Sequence, residues 1–350
     1  MIHEWAQGTD GNGASTRVLL FDYCKAFDLI DHFILVNKLC NLDLPNNIIN
    51  WIIDFLSDRF QRVKLSDGCF SEWGHIPAGV PQGTKLGPWL FLVLINDLKI
   101  FTTNSHLWKF VDDTTTSEII KKGNDSSSQL IADQVIQWSN ENRVQLNGDK
   151  CKELRISFAK DPPQFNPIVI HSKELEVVES AKLLGVTISS DLLWNDHIGE
   201  IIKKSAKRLY FLVQLKRASL PTRDLLLFYC TCIRSILTYA VPVFHYSLPQ
   251  YLRKDLERVQ KRALSIICPG TDYEDALQLV NIPRLKDYCG FICSRTFDTI
   301  LNNKEHRLYN LLPPKTESKY SLRTNRRFSP TWKTNRFKNT FITSSCLNMT

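Results

Sequence analysis

Long apolar runs are missing from this 350-residue chain. The longest, Trp89 to Ile95, falls far short of the about 20 residues that cross a bilayer, so no membrane partner is expected. Paired C-x-x-C sets are missing too. The 10 cysteines are scattered, and the 8 histidines complete no zinc spacing. That excludes a disulfide scaffold and a zinc finger, and leaves reduced, mostly core cysteines. The opening stretch, MIHEWAQGTD, is polar and acidic rather than a secretory leader. An intracellular protein, cytoplasmic or nuclear and not secreted, is the expectation. Neither an internal repeat nor a low-complexity tract appears.

What is present is a globular composition, 43% hydrophobic and 23% charged. Its net charge of +8 is unevenly spread. Residues 1–200 hold 18 Lys and Arg against 26 Asp and Glu, a balance of −8. Residues 201–350 hold 26 against 10, a balance of +16. The basic half fits either a polyanion-binding surface or a solvated surface with a basic tail.

Along the chain, residues 1–16 read as a short helix or turn and a loop. VLLFD (Val18–Asp22) is a buried strand ending in a carboxylate. KAFDLIDHFILVNKL and WIIDFLSDRF have helical spacing. RVKLSDGCFSEW carries a hairpin turn at Asp67-Gly68. AGVPQGTKLGP is a glycine- and proline-rich loop running into the apolar helix WLFLVLINDL, with Pro88 at a helix-start position. Ser126–Asn142 is an amphipathic helix. LRISF, IVI, LEVVE and LLGVTI are strand candidates. After about Asp191 the spacing turns helical, and Leu252, Leu256, Val259, Ala263 and Ile267 make a stripe with Arg253, Lys254, Arg258, Lys261 and Arg262 on the other faces. From about Leu312 the chain is basic and polar, as in a loosely ordered tail.

KFVDDTT (Lys109–Thr115) holds two adjacent carboxylates in or beside a hairpin turn. If that hairpin neighbours the strand ending in Asp22, up to three carboxylates converge at one sheet edge. Uncompensated, they raise one another's pKa values. A pair of Mg²⁺ ions shared with substrate phosphates removes the conflict and suits phosphoryl transfer. On spacing alone, the pair fits a solvated turn as well as a metal–phosphate site. The glycine-rich loop likewise fits an ordinary turn or a close backbone approach to a ligand.

Several segments taken together are more specific. VLLFDYCKAFDLIDHFILVNKL, GHIPAGVPQGTKLGPWLFLVLINDL and LWKFVDDTT, in that order, resemble the palm motifs of a reverse transcriptase from a non-LTR (LINE-type) retrotransposon. NRVQLNGDKCKELRISF, AKLLGVTISSDLLWNDHI and LERVQKRALSIICPG resemble its continuation, so the likeness covers nearly the whole chain.

The resemblance implies an α+β fold: a polymerase palm, with an antiparallel sheet backed by helices, then a helical thumb. It implies residues 1–160 as palm, 161–195 as primer-grip strands, 196–290 as thumb and 291–350 as a basic C-terminal tail. Asp22 and Asp112 correspond to the metal-binding aspartates and Asp113 to their companion, holding two Mg²⁺ ions, with Mn²⁺ as an alternative. Tyr23 offers its backbone carbonyl, and Phe27 is the gate under the incoming sugar or a core residue. Pro81, Gln82 and Gly83 line the nucleotide and template. Lys150 corresponds to the lysine near the pyrophosphate, a general acid, with Lys152 a rival. Leu184, Gly185 and Val186 correspond to the primer grip. The implied partners are an RNA template, a DNA primer and a dNTP; no oligomeric state is implied.

One departure stands at the front. In that family, fingers motifs precede the first aspartate by a long stretch, whereas Asp22 comes almost at once here. The expectation is therefore a truncated palm and thumb with fingers largely absent. It is either an RNA-directed DNA polymerase domain or a catalytically silent remnant that at most binds nucleic acid. An unrelated metal-dependent nuclease does not explain the gate and loop motifs together.

Overall fold

The run STRVLLF has no solvent side: Thr16, Arg17, Val18, Leu19 and Phe21 are all buried. A strand buried on both faces belongs inside a sheet. The computed structural model, which describes residues 1–315 and 328–348, places it there. Five strands, Ser15–Phe21 (β1), Ser105–Phe110 (β2), Asp113–Ile120 (β3), Lys152–Ser157 (β4) and Glu176–Val178 (β5), form one sheet in the order β5-β4-β1-β3-β2. β1 runs antiparallel to β3, from Ser15 opposite Ile120 to Phe21 opposite Thr114. β2 runs antiparallel to β3, from Ser105 opposite Glu118 to Phe110 opposite Asp113. β5 lies parallel to β4.

Helices His32–Cys40, Asn46–Leu56, Leu86–Ile95 and Ser128–Glu141 supply the apolar partners of this sheet. Leu35, Leu39, Ile52, Leu90, Phe91, Leu94 and Val135 share one core with Leu19 and Phe21. Fully burying each such side chain contributes about 1.5–3 kcal/mol. Helical spacing through Phe27 and Ile30 predicts an earlier start than the observed one. Lys25 adopts φ +45°, which breaks the helix, and Asp31 caps the true N-terminus by accepting from the Ile34 N–H at 3.0 Å.

The middle of the sheet also buries charge. The Arg17 guanidinium donates to Glu153 Oε1 at 2.7 Å, with side-chain exposures of 3% and 0%. Arg17 donates further to Ser126 Oγ at 3.2 Å and to the Asn166 carbonyl at 2.9 Å. Arg155 grips the same carboxylate at 2.7 and 3.1 Å.

By contact density the chain divides into two compact units. One comprises Ser15–Arg155 and Asp161–Val178, and holds the sheet. The other comprises Met1–Ala14, Ile156–Lys160 and the described residues from Glu179 onward. In this second unit LLGVTI is not one strand. It is a hairpin of Ser180–Leu183 and Val186–Ser189, turned by Leu184 and Gly185 at φ +47° and +82°. Positive φ at both loop positions marks the tight turn that matches strand twist. Helices Asn195–Arg217, Gln250–Ile267 and Leu285–Asn302 dominate the rest. The stripe Leu252, Leu256, Val259, Ala263 and Ile267 is buried.

The stretch expected as a loose tail is packed where it is described. Phe297, Ile300, Phe328, Ile342 and Cys346 form a small core of their own. The Asp10 carboxylate accepts from the Lys333 N–H at 2.7 Å and the Thr334 N–H at 2.8 Å, a clasp over 323 positions that composition does not reveal. Residues 316–327 and 349–350 of that stretch lie outside the described residues. Among the described residues no single helix is long and apolar enough to cross a membrane. One bent pair, Thr222–Leu237 with Val241–Ser247, passes that test together, and its Leu225, Tyr229, Ile233, Leu237, Val241 and Phe244 are all buried.

Candidate active site

Asp22 follows the last residue of β1, and Asp113 opens β3. Since Phe21 pairs with Thr114, the antiparallel register brings Asp22 to the row of Asp113 at one end of the sheet. Phe110 pairs with Asp113, so only Val111 and Asp112 form the loop between β2 and β3. Val111 adopts φ +57°, a left-handed conformation that strains a β-branched residue by about 1–3 kcal/mol. A strained two-residue turn thus fixes Asp112 at the hairpin tip.

The carboxylates conflict electrostatically. Burial pushes the Asp113 carboxyl above its ordinary range, and the charges of Asp112 and Asp22 push it further. Oδ2 of Asp22 is buried and accepts no hydrogen bond, although the side chain as a whole is 42% exposed. It faces Lys150 Nζ across 3.7 Å, beyond hydrogen-bond range, and that lysine is exposed. Lys152 instead pairs with Glu176 across 3.4 Å.

The segment carrying Lys150 is fastened beside Asp22 through the backbone. The Asn147 N–H donates to the Asp22 carbonyl at 2.8 Å, and the Cys24 N–H donates to the Gln145 carbonyl at 2.8 Å. The Asp22 N–H itself donates to Cys151 Sγ at 3.4 Å. Burial pushes the Cys151 thiol up to about 11, so it stays protonated.

Tyr23 turns its ring inward, edge-on to Trp138 at 6.4 Å, and burial pushes its phenol up to about 12. Only its backbone is left for the site. Phe27 is half-buried with its ring 5.2 Å from that of Phe91. Its carbonyl accepts from the Val80 N–H at 2.8 Å, which ties the glycine-rich loop to the segment after β1. Gln82 donates to Asp28 Oδ1 at 2.9 Å, the Pro81 carbonyl accepts from the Thr84 hydroxyl at 2.8 Å, and Gly83 sits at φ +82° in open space. The structure therefore groups Asp22, Asp112, Asp113 and Lys150 at the sheet end, and Phe27 with Pro81, Gln82 and Gly83 in one stapled loop pair. Leu184, Gly185 and Val186 belong to the other unit, where the Tyr239 hydroxyl donates to the Leu184 carbonyl at 2.8 Å.

Sequence reasoning missed three positions. Asn147 acts through its backbone and Cys151 through its thiol, each on the main chain of Asp22, and such contacts leave no motif of their own. Gly79 was visible only as one glycine among several. Its carbonyl accepts from Arg59 at 2.7 Å and contacts His32 Nε2 at 2.7 Å, and its φ is +78°. An added Cβ would lie 2.5 Å from the Asp28 carbonyl oxygen. Gly79→Ala is expected to destabilise the protein by more than about 1 kcal/mol and to loosen the loop, which a lowered urea midpoint and faster hydrogen exchange at Val80 would register.

A family model described as "Reverse transcriptase (RNA-dependent DNA polymerase)" matches residues 2–188. The chain belongs to the reverse transcriptase family. A second, shorter match, to "Alkylated DNA repair protein alkB homolog 8, N-terminal", covers residues 194–235. Among curated relatives, the RNA-directed DNA polymerase from mobile element jockey of Drosophila melanogaster is 26% identical over 283 residues, covering 76% of this chain and 30% of the relative. The probable RNA-directed DNA polymerase from transposon X-element of the same species is 22% identical over 258 residues, covering 71% and 28%. The chain thus spans about 30% of the length of these relatives. The likeness to non-LTR reverse transcriptases is borne out: the matched stretch holds the mainly antiparallel sheet with its backing helices, and a mostly helical stretch follows it in the chain. Two solved structures are also similar: apo telomerase from Candida tropicalis (14% identity, TM-score 0.42, 79% of this chain and 44% of that chain) and the same telomerase in complex with the TWJ fragment of telomeric RNA (13%, 0.41, 75% and 40%).

Reverse transcriptases use divalent metals. Among the described residues no three His, Cys, Asp or Glu side chains close around a point that could hold a metal ion. The donor set is nonetheless the right kind: hard carboxylate oxygens, one buried without a hydrogen bond, another carboxyl pushed up by burial and by its charged neighbours. Magnesium binds through one or two carboxylates with substrate phosphates supplying further ligands, so an incomplete protein cage fits it.

Proposed function

We propose that this chain is an RNA-directed DNA polymerase that extends a DNA primer from dNTPs on an RNA template, inside the cell. The buried, donorless Asp22 Oδ2 at the hairpin end of the sheet supports this reading most. In this reading Asp22 and Asp112 hold two Mg²⁺ ions, or Mn²⁺, with Asp113 in support. The ions would supply activation of the primer 3′-hydroxyl and charge neutralisation at the triphosphate. The hydroxyl oxygen bonds to the α-phosphorus as its proton passes to solvent water, the bond from the α-phosphorus to the bridging oxygen breaks, and pyrophosphate leaves with that oxygen.

The chain's own groups do the rest. Lys150, exposed and next to Asp22, gives a proton to the departing pyrophosphate. The loop of Pro81, Gln82 and Gly83 presents backbone to the nucleotide, and the Leu184–Val186 turn presents backbone to the primer. Lys254, Arg258, Lys261 and Arg262 are exposed on Gln250–Ile267 and can track phosphates. Incorporation of dTTP on oligo(dT)-primed poly(rA) by the purified chain with Mg²⁺ tests the proposal. Salt-sensitive RNA binding without incorporation would instead mark a silent nucleic-acid binder.

Phe27 sets sugar choice in this reading, because its ring would fill the space a 2′-hydroxyl needs. Phe27→Ala is expected to reduce discrimination against ribonucleotides by about tenfold or more, read as the ratio of kcat/KM for dTTP and UTP. An unchanged ratio would assign Phe27 to the core alone.

A further inference from the structure

We infer that Cys151 is a positioning residue for Asp22, its thiol sulfur fixing the backbone from which the carboxylate projects. The inference rests on the reading of Asp22 as a metal-binding carboxylate. Asp22 lies just past the β1–β3 ladder, whose last pair is Phe21 with Thr114. Its N–H needs another acceptor, because a buried backbone donor left without one is costly. That acceptor is Cys151 Sγ at 3.4 Å, on a fully buried residue immediately before β4. The same sulfur lies 3.8 Å from the Asp22 carbonyl oxygen. That carbonyl already receives the Asn147 N–H at 2.8 Å, and Asn147 in turn accepts from the Cys151 N–H at 3.0 Å.

The result is a closed clamp. One side of the Asp22 peptide is held by Asn147, the other by the thiol, and both holders are tied to each other. The carboxylate within this clamp keeps Oδ2 buried with no donor of its own. The nearest side-chain partner of Oδ2 is the exposed Lys150 ammonium at 3.7 Å, so the backbone clamp is the close, hydrogen-bonded hold on this residue. Sulfur is a long-reach, weak acceptor, so it sets a wider spacing between the end of β1 and the start of β4 than oxygen would.

Outer partners of metal ligands typically change metal affinity by about 10–100-fold when removed. The test measures Mn²⁺ binding by the loss of its free-ion electron paramagnetic resonance signal, together with thermal melting. The full chain is compared with Cys151→Val, Cys151→Ala, Cys151→Ser and Asp22→Asn. Expected results are about a tenfold weaker Mn²⁺ affinity for Cys151→Val and Cys151→Ala, and recovery to within about threefold for Cys151→Ser, which keeps an acceptor. Asp22→Asn abolishes binding. If Cys151→Val or Cys151→Ala melts lower yet binds Mn²⁺ as the parent does, while Asp22→Asn does not bind, Cys151 merely packs and the inference is wrong. If Asp22→Asn binds Mn²⁺ unchanged, the metal reading of Asp22 fails, and the inference falls with it for that separate reason.

Discussion

Asp112→Asn is expected to cut primer extension by at least about 10³-fold while leaving the protein as stable as before, or slightly more so. The expected loss follows from the role proposed for a metal-holding carboxylate. Charge stabilisation at a transferring phosphoryl group amounts to several kcal/mol, and roughly 4 kcal/mol is a thousandfold in rate. Stability moves the other way because of the neighbours. The charge of Asp112 helps push Asp113 above its ordinary range, so removing it relieves a repulsion in the folded state. A carboxyl whose folded pKa is raised is stabilising only at low pH, and that contribution is gone once pH rises through the raised value. Any gain in melting temperature should therefore appear at neutral pH and vanish below about 3.8, the ordinary aspartate value. An ordinary destabilising substitution would lose activity and melting temperature together. Full extension activity in Asp112→Asn would remove the hairpin from the chemistry.

How far this site was legible in the sequence depends on what kind of contact builds each part. The aspartates were readable through the family resemblance of the motifs that carry them, since on spacing alone a strand-ending carboxylate and a pair at a turn fit a solvated turn as well. The turn at Val111 was not readable, since nothing in a β-branched side chain announces φ +57°. LLGVTI shows the same limit: its apolar composition reads as one strand, while Leu184 and Gly185 reverse the chain. Periodicity found the buried stripe of Gln250–Ile267, because burial of one helix face leaves its mark every three or four residues. It extended the helix that actually begins at His32 back to Phe27, because apolar residues in a loop can pack as well as those in a helix. The contacts of Asn147 and Gly79 and the Asp10 clasp were invisible for a common reason: main-chain atoms take part in each, across long sequence separations.

The buried Arg17–Glu153 pair was hidden as well, and it yields the largest expected effect on stability. Glu153→Ala should destabilise the sheet-bearing unit by about 3–5 kcal/mol, because Arg17 is left charged and fully enclosed. For a unit of this size that is a fall in melting temperature of roughly 10 °C. The pH dependence should change too. Burial pushes the Glu153 carboxyl up, but the hydrogen bonds from Arg155 and Arg17 outweigh it and hold the group below its ordinary range. A depressed carboxyl contributes stability that is fully present above its ordinary value of 4.5 and is lost as pH falls through the depressed one. The parent should therefore lose stability on acidification below about 4.5 more steeply than Glu153→Ala. A double substitution, Arg17→Met with Glu153→Leu, separates the value of the pair from the penalty of breaking it. Well-packed apolar replacements of a buried ion pair are often neutral. Arg155, at 27% side-chain exposure, can turn to water when its partner goes. The double variant should recover most of the lost melting temperature, and failure to recover would mean that the contacts of Arg17 with Ser126 and Asn166, rather than the ion pair, hold this part of the sheet.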